Sequence, residues 1–161
     1  MIYLFTILLA LFQATLVNLI AVGNIKPDLL LVLVIFVALY KGIADAAICG
    51  ILAGFLKDVF STGAFLNIFI LPVCGVAVGL FIIKFYLYKE NLLVQSLIVL
   101  AASIFLSAAY LAWFSGWDYT PPIFILAARI GIPTVIYNVL ISVPAFSVFK
   151  KIFNVVPETP I

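Results

Sequence analysis

The few charged side chains inside apolar stretches are the first candidates for catalytic or binding residues in this chain. Lys57 and Asp58 stand side by side in the stretch Gly54-Phe-Leu-Lys-Asp-Val-Phe-Ser-Thr-Gly63. Successive residues of an α-helix point about 100° apart, so this lysine and aspartate do not face one pocket as a catalytic pair. We therefore predict that they act separately, with Lys57 at the outer membrane interface and Asp58 turned toward protein.

Most of the tools of catalysis are missing from the sequence. Histidine, the commonest general base and metal ligand, is absent from the 161 residues. No nucleophile stands beside a base at usable spacing, and no cluster of metal ligands occurs. Cys49 and Cys74 lie in apolar stretches without Cys-x-x-Cys spacing, which is typical of thiols that behave as small apolar side chains. We expect a protein that is not an enzyme and that has no cofactor or metal ion.

The composition indicates an integral membrane protein. Hydrophobic residues make up 68% of the chain and charged residues only 9%, which is too little charge to cover a soluble domain. Apolar stretches recur along the whole length, so we predict one membrane-embedded domain over residues 1–161. The net charge of +2, without a basic stripe, argues against nucleic acid as a partner.

Charged and turn residues divide the chain into six apolar stretches. Each is predicted to be helical, because the hydrocarbon layer offers backbone groups no hydrogen-bond partner outside their own helix. The stretches are too long and continuous for the strands of a β-barrel. The first one lacks a convincing cleavage site and is interpreted as a retained span. The predicted helices cover about residues 3–22, 27–40, 43–60, 65–84, 91–115 and 121–149.

The second stretch, residues 27–40, is short for a membrane span. Fourteen residues give a helix of about 21 Å, against roughly 30 Å of hydrocarbon. Fusion with the third stretch would place Lys41 and Asp45 near the membrane centre at about 2.5–3.5 kcal/mol each. We therefore predict two separate helices. Pro27 suits the first helical position, and Asp28 complements the positive end of the helix dipole.

The lysines indicate an orientation. Six spans put both termini on one side, and five lysines fall on that side against two on the other. Because lysine and arginine are enriched in cytoplasmic loops, both termini are predicted to be cytoplasmic. The five are Lys41, Lys84, Lys89, Lys150 and Lys151, and the two are Lys26 and Lys57. Aromatic residues are expected at the interfaces: Trp113, Trp117 and Tyr119 outside, and Phe85, Tyr86 and Tyr88 inside.

Small residues recur at every fourth position of the third stretch. One predicted ridge consists of Ala46, Gly50, Gly54 and Asp58, and the adjoining one of Asp45, Cys49, Ala53 and Lys57. Small residues let another helix approach closely, which is how helices associate inside a membrane. Gly75 and Gly79, after Pro72, repeat the device in the fourth stretch. We expect both faces to pack within this chain rather than to form an intermolecular face.

Arg129 lies about two turns into the last stretch. An unpaired charge at that depth is costly, so we predict that Arg129 faces protein and is neutralised by Asp58, with Asp28 as the second candidate. The alternative is an arginine whose side chain extends to the outer water.

Asn138 and Thr134 share a face of the last stretch, and Pro133 and Pro144 predict a kink or an interruption there. Five other uncharged polar residues are predicted to join helices by hydrogen bonds rather than to bind a substrate. They are Gln13, Asn18, Ser96, Ser103 and Ser107.

Three short motifs follow one another along the chain. They are Lys26-Pro-Asp-Leu-Leu-Leu31, then Gly50-Ile-Leu-Ala-Gly-Phe-Leu-Lys-Asp58 with a Ser-Thr-Gly63 turn after it, then Pro133-Thr-Val-Ile-Tyr-Asn138. With six short spans, this pattern resembles the bacterial rod-shape-determining MreD family. The chain differs from the family pattern at Lys57, where the family usually has glycine. It also differs after Gly63, where Ala64-Phe-Leu-Asn67 replaces a glycine-leucine pair.

The resemblance implies a non-enzymatic membrane scaffold of the machinery that elongates the lateral cell wall. It implies the bacterial inner membrane, MreC as the primary partner, and MreB, RodA and a penicillin-binding synthase reached through the complex. The expected fold is an all-α, six-helix transmembrane bundle, similar to the substrate-binding subunits of energy-coupling-factor transporters. Ala10 and Ala14, four residues apart in the first stretch, resemble the small-residue docking face of those subunits.

Two functions remain open on the sequence. One is the scaffold, for which the structural or partner-binding candidates are Asp28, Gly50, Gly54, Asp58, Gly63, Arg129 and Asn138. The alternative is a small-molecule binding or transport subunit, with an outward pocket lined by Asp28, Asp58 and Arg129. Besides MreC, the lipid bilayer is an expected partner, and self-association is left open.

Overall fold

The computed structural model describes residues 1–15, 25–60, 65–85, 90–115, 125 and 127–155, and these residues are helical apart from short connections. Three helical segments are long and apolar enough to cross a membrane: Asn67–Lys84, Leu92–Trp113 and Ala128–Ile152. The chain is therefore a membrane protein. Its α-helices are α1 (Ile2–Thr15), α2 (Leu29–Tyr40), α3 (Ile43–Phe60), α4 (Asn67–Phe85), α5 (Leu92–Ser115) and α6 (Ile132–Ile152), with a π-helical segment (Ala127–Gly131) before α6.

The predicted separation of α2 from α3 is confirmed. Gly42 in the connection has φ of +112°, a left-handed conformation that glycine adopts without steric cost. Helix α2 begins at Leu29, so the prediction that Pro27 occupies the first helical position is wrong by two residues. Asp28 is the N-cap, and its side chain accepts a hydrogen bond from the backbone N–H of Leu31.

Helix α2 lies at the centre of the protein. Every residue from Leu29 to Leu39 is buried, and the helix contacts α1, α3, α4, α5 and α6. A helix that is enclosed by other helices can be apolar around its whole circumference. It also does not need the length of a membrane span, which explains why the second apolar stretch is so short and so uniform.

The last predicted helix changes its winding near Pro133 without a break. Residues 127–131 are π-helical, and α6 follows directly from Ile132, with Pro133 as its second residue. Pro144 lies inside α6, which continues to Ile152. Residues 121–124 and 126, which belong to the predicted helix, lie outside the described residues.

The N-terminus and the end of α6 lie at the same end of the protein, which we call the Phe5 end. The ring of Phe5 contacts the rings of Phe149 and Phe153 edge-on, with centroids 5.6 and 5.3 Å away. Phe36 of α2 contacts both of the same rings. The opposite end, where α2 begins, is the Asp28 end.

Most residues predicted at membrane interfaces or loops lie outside the described part of the chain. They are Gly63, Tyr86, Tyr88, Lys89, Trp117 and Tyr119, together with the side chain of Phe85. Asn18, which is predicted to join helices, lies outside it as well. Trp113 is described and is 39% exposed near the end of α5. Cys49 and Cys74 are both buried and unlinked, so they form no disulfide.

Candidate functional site

The small-residue ridge of α3 packs against the start of α4. All four ridge residues are buried: Ala46, Gly50, Gly54 and Asp58. A Cβ atom on Gly50 would lie 2.6 Å from Cα of Pro72, and one on Gly54 would overlap the backbone of Asn67. The two helices can approach this closely only because glycine occupies both positions.

Glycines of α4 have the same role toward α2 and α3. A Cβ atom on Gly75 would lie 2.9 Å from a side-chain methyl of Val34, and one on Gly79 would lie 2.6 Å from Cγ1 of Ile43. Both small-residue faces are therefore used within the chain, as the sequence predicted.

The approach at Gly54 brings Asp58, one turn later, to the N-terminus of α4. Its Oδ1 accepts hydrogen bonds from the backbone N–H and the side-chain amide of Asn67, at 3.3 and 2.6 Å. Its Oδ2 accepts one from the N–H of Ile68 at 2.9 Å. The hydroxyl of Tyr110 on α5 donates to the side-chain oxygen of Asn67. This Asp58 cluster satisfies the first N–H groups of α4 and places a negative charge at the positive end of its dipole.

Asp28 is the centre of a second cluster at the same end of the protein. Its backbone N–H donates to Oδ1 of Asn138 on α6 at 2.7 Å. The Nδ2 of Asn138 in turn donates to Oγ of Ser103 on α5 at 3.2 Å. All three residues are buried. One asparagine therefore joins the start of α2 to two neighbouring helices.

Gln13 connects α1 to the same cluster. Its Nε2 lies 3.4 Å from Oδ1 of Asp28, and its Oε1 accepts a hydrogen bond from the backbone N–H of Leu30 at 3.0 Å. The glutamine thus supplies a further acceptor for the first turn of α2. The prediction that Gln13 and Ser103 join helices is confirmed, and together with Asp28, Lys57 and Asn138 they form the Asp28 cluster.

Lys57 forms an ion pair with Asp28. The lysine keeps 19% of its side chain exposed and the aspartate 7%, while Nζ lies 5.7 Å from the centre of the Tyr110 ring, within range of a cation–π interaction. The prediction that Lys57 reaches the outer interface is therefore wrong. Its long side chain crosses from α3 to the N-terminus of α2, where a carboxylate neutralises it inside the protein.

Arg129 is not the partner of Asp58. It is exposed on the π-helical segment, and within the described part of the chain it forms no ion pair. Asp58 bonds to α4 instead, and the second candidate, Asp28, is paired with Lys57. The predicted pair is wrong, while the alternative of an exposed arginine agrees with the position found. Within the described residues Asp28, Asp58 and Arg129 therefore do not share the pocket that the alternative function would need.

Other predicted polar and small residues have local roles. The hydroxyl of Thr134 donates to the carbonyl of Ile130 in the preceding turn, at 2.6 Å. Ser96 and Ser107 are half-buried on α5. Ala10 is 2% exposed, so it belongs to the core rather than to a docking face on the surface.

The two clusters are built to hold helices together. The carboxylate of Asp28 receives hydrogen bonds from Leu31, Gln13 and Lys57, and that of Asp58 receives three from the start of α4. Such fully bonded groups have little capacity left for a substrate. Among the described residues there is no group of side chains suited to a metal ion.

The three sequence motifs meet at this end of the protein. Asp28 comes from the first motif, Lys57 and Asp58 from the second, and Asn138 from the third. Ser103 and Tyr110, which complete the clusters, lie outside the motifs. Tyr110 was not predicted, and the only signal for it is a hydroxyl-bearing ring within an apolar helix.

Among the described residues, a larger and a smaller cavity lie along the helices, and neither of these is lined by a charged residue. The larger, of about 610 Å³, lies between α4 and α5, and the smaller, of about 400 Å³, lies beside α1, α3 and α4. Both are therefore surfaces for apolar groups. Comparison of the chain with protein-family models, curated proteins and solved structures gives no significant match.

Proposed function

We propose that this protein is a non-enzymatic membrane scaffold of the MreD family, a six-helix transmembrane bundle that binds MreC and supports lateral cell-wall synthesis. MreB, RodA and a penicillin-binding synthase are reached through that complex. One observation carries the proposal. The three motifs that resemble the family are far apart in sequence, yet Lys57 of the second and Asn138 of the third both bond to Asp28 of the first. Because these residues together join α2, α3 and α6, the three motifs depend on one another and are expected to occur in the same chain.

The state of the buried charges also supports a scaffold. A subunit that binds a small polar solute presents a few polar groups inside a cavity that the solute can enter. Here Asp28 and Asp58 are 5% and 4% exposed and fully bonded, and both cavities are apolar. The surface left for a partner is the apolar outer face of the helices, which suits association inside a membrane.

The proposed orientation puts the Phe5 end in the cytoplasm of a bacterium, with the protein in the inner membrane. Lys41, Lys84 and Lys151 are exposed at that end. At the Asp28 end Lys26 and Arg129 are exposed, whereas the charge of Lys57 is neutralised by its ion pair. Among the described residues, the larger number of exposed basic side chains at the Phe5 end supports this orientation.

Co-purification tests the proposal directly. The full chain with an affinity tag is extracted from the membranes of the bacterium that encodes it, and the captured proteins are identified by mass spectrometry. We expect MreC and other elongation proteins to be enriched over an unrelated tagged membrane protein. Enrichment of the ATP-binding subunits of a transporter, without MreC, would contradict the proposal and favour a small-molecule binding subunit.

A pair of variants links the capture to the Asp28 cluster. Asn138→Ala removes the acceptor for the N–H of Asp28, whereas Lys151→Ala changes an exposed polar side chain at the other end of α6. We expect less MreC with the first variant and wild-type amounts with the second. The thermal midpoint of each variant is measured in the same detergent, so that loss of the fold is distinguished from loss of the partner.

A further inference from the structure

A polar contact joins α4 to α5 at the Asp28 end of the protein, beyond the apolar groove between the two helices. The groove is lined by residues 73–81 of α4 and 94–105 of α5. Asn67 lies six residues before this lining on α4, and Tyr110 lies five residues after it on α5. The hydroxyl of Tyr110 donates to the side-chain oxygen of Asn67. This hydrogen bond therefore lies next to one end of the groove.

The start of α4 is held by α3. The backbone of Asn67 lies so close to Gly54 that a Cβ atom there would overlap it. Asp58 also accepts hydrogen bonds from Asn67 and from the N–H of Ile68. Since α4 is fixed in this way, the position of Tyr110 decides how closely α5 approaches α4 at the Asp28 end.

Two further hydrogen bonds hold α5 to other helices. The side-chain amide of Gln95 donates to the hydroxyl of Tyr40 on α2 at 2.9 Å. The Oγ of Ser103 accepts a hydrogen bond from Asn138 on α6 at 3.2 Å. Tyr110 lies seven residues beyond Ser103, which is about 10 Å along the helix. The last part of α5 can therefore change its distance from α4 while α2 and α6 still hold the rest of the helix.

An ion pair on two other helices positions the ring of Tyr110. The Nζ of Lys57 lies 5.7 Å from the centre of this ring, within range of a cation–π interaction. Lys57 is in turn held by the carboxylate of Asp28. Without that carboxylate the ammonium group, which keeps 19% of its side chain exposed, is expected to extend toward water and away from the ring.

We propose that Tyr110 couples the ion pair of Asp28 and Lys57 to the separation of α4 and α5. A change of charge at the start of α2 then alters the contact between two helices to which neither charged residue belongs. The groove widens at its Asp28 end when this contact loosens. The coupling lies within this chain, so it does not rest on the identity of a protein partner.

Double electron–electron resonance measures the separation of the two helices directly. The full chain in lipid nanodiscs carries spin labels at Phe69→Cys on α4 and Ala108→Cys on α5, which are exposed positions near the Asp28 end. The two native cysteines, Cys49 and Cys74, are buried. Labelling is therefore directed to the introduced cysteines, and a sample without them measures the background.

Removal of the Tyr110 hydroxyl is the first comparison. Tyr110→Phe keeps the ring and loses the hydrogen bond to Asn67. We expect the fraction of molecules with a larger separation to rise about fivefold over the wild type, which corresponds to a neutral hydrogen bond of about 1 kcal/mol. A second label pair, Ile83→Cys with Leu93→Cys, reports the opposite end of the same helices and keeps its wild-type distances.

Asp28→Asn tests the coupling itself. We expect it to raise the same fraction about two- to fivefold, which corresponds to a cation–π interaction of about 0.5–1 kcal/mol. Combined with Tyr110→Phe it has no further effect, because the hydrogen bond through which it acts is already absent. The matched control is Lys150→Met, which breaks the ion pair with Glu90 at the Phe5 end and leaves the separation at the Asp28 end unchanged.

Three outcomes would overturn the proposal. One is an unchanged distance distribution in Tyr110→Phe, and another is an equal widening at both ends of the helices in Asp28→Asn. The third is an effect of Asp28→Asn that is the same with and without the Tyr110 hydroxyl, since the coupling then takes another route. If Asp28→Asn does not fold, the double variant with Lys57→Met replaces it in every comparison, because it also removes the ammonium from the ring and leaves no buried charge without a counter-charge.

Discussion

The ion pair between Asp28 and Lys57 predicts an unequal set of stabilities in single and double variants. Asp28→Asn keeps a side-chain oxygen for the N–H of Leu31 but leaves the ammonium of Lys57 without a carboxylate. Lys57→Met keeps most of the length of the side chain and removes its charge, which leaves the carboxylate of Asp28 with only neutral donors from Leu31 and Gln13. Each single variant therefore has a buried charge without a counter-charge.

The size of the effect follows from the burial of the pair. Breaking a fully buried ion pair costs about 3–5 kcal/mol, whereas replacing both partners costs far less. Lys57 keeps 19% of its side chain exposed, so the lower limit of about 3 kcal/mol is the appropriate estimate for Asp28→Asn. For a chain of this size that corresponds to a thermal midpoint lower by about 6–12 °C.

The assay is thermal unfolding of the purified full chain in one detergent, followed by loss of the monodisperse peak on gel filtration. Lys41→Met, at an exposed lysine, is the matched control and is expected to melt like the wild type. The double variant with both substitutions is expected to melt above Asp28→Asn. The reasoning is refuted if the two single effects simply add in the double variant, because the side chains would then not interact.

Three further changes are expected to alter stability in the same assay. Gly50→Ala places a Cβ atom 2.6 Å from Cα of Pro72, which should lower the free energy of unfolding by about 1–3 kcal/mol. The control is Gly131→Ala, whose Cβ atom meets nothing within 4 Å and which should not lower the thermal midpoint. Equal effects of the two substitutions would contradict the close approach of α3 and α4. Asn138→Leu leaves the backbone N–H of Asp28 without an acceptor and should lower the free energy of unfolding by about 1–3 kcal/mol. An unchanged thermal midpoint would count against the hydrogen bond between Asp28 and Asn138. Tyr110→Phe removes the hydroxyl that donates to Asn67 and should lower the free energy of unfolding by about 0.5–1.5 kcal/mol. A thermal midpoint above that of the wild type would contradict a stabilising role for this hydrogen bond.

The helices of this chain could be predicted well where charges bound them. Helix α3 covers residues 43–60 as predicted, because Asp45 near its start and Lys57 near its end limit the apolar stretch. Its buried ridge could be predicted because a four-residue repeat of small side chains has one physical use inside a membrane. The complete enclosure of α2 was not predicted, since a sequence does not show which apolar helix is surrounded by the others.

The pairing of charges could not be predicted, because it depends on how the helices are arranged. The positions of Arg129 and Asp58 near the outer ends of their predicted helices favoured a pair between them. In the structure, the contact at Gly54 instead brings the start of α4 to Asp58. The side chain of Lys57 on α3 extends to Asp28, the N-cap of α2. Both pairings follow from how neighbouring helices pack against each other, which spacing along the chain does not encode.

Amide hydrogen exchange at Asp28, measured residue by residue by NMR on the full chain in lipid nanodiscs, tests the convergence of the motifs most directly. The N–H of Asp28 donates to Asn138, whereas that of Leu31 donates to Asp28 itself. We predict slow exchange at both positions in the wild type, and in Asn138→Ala faster exchange by about fivefold at Asp28 alone. Fast exchange at Asp28 in the wild type, or an unchanged rate in the variant, would contradict the account.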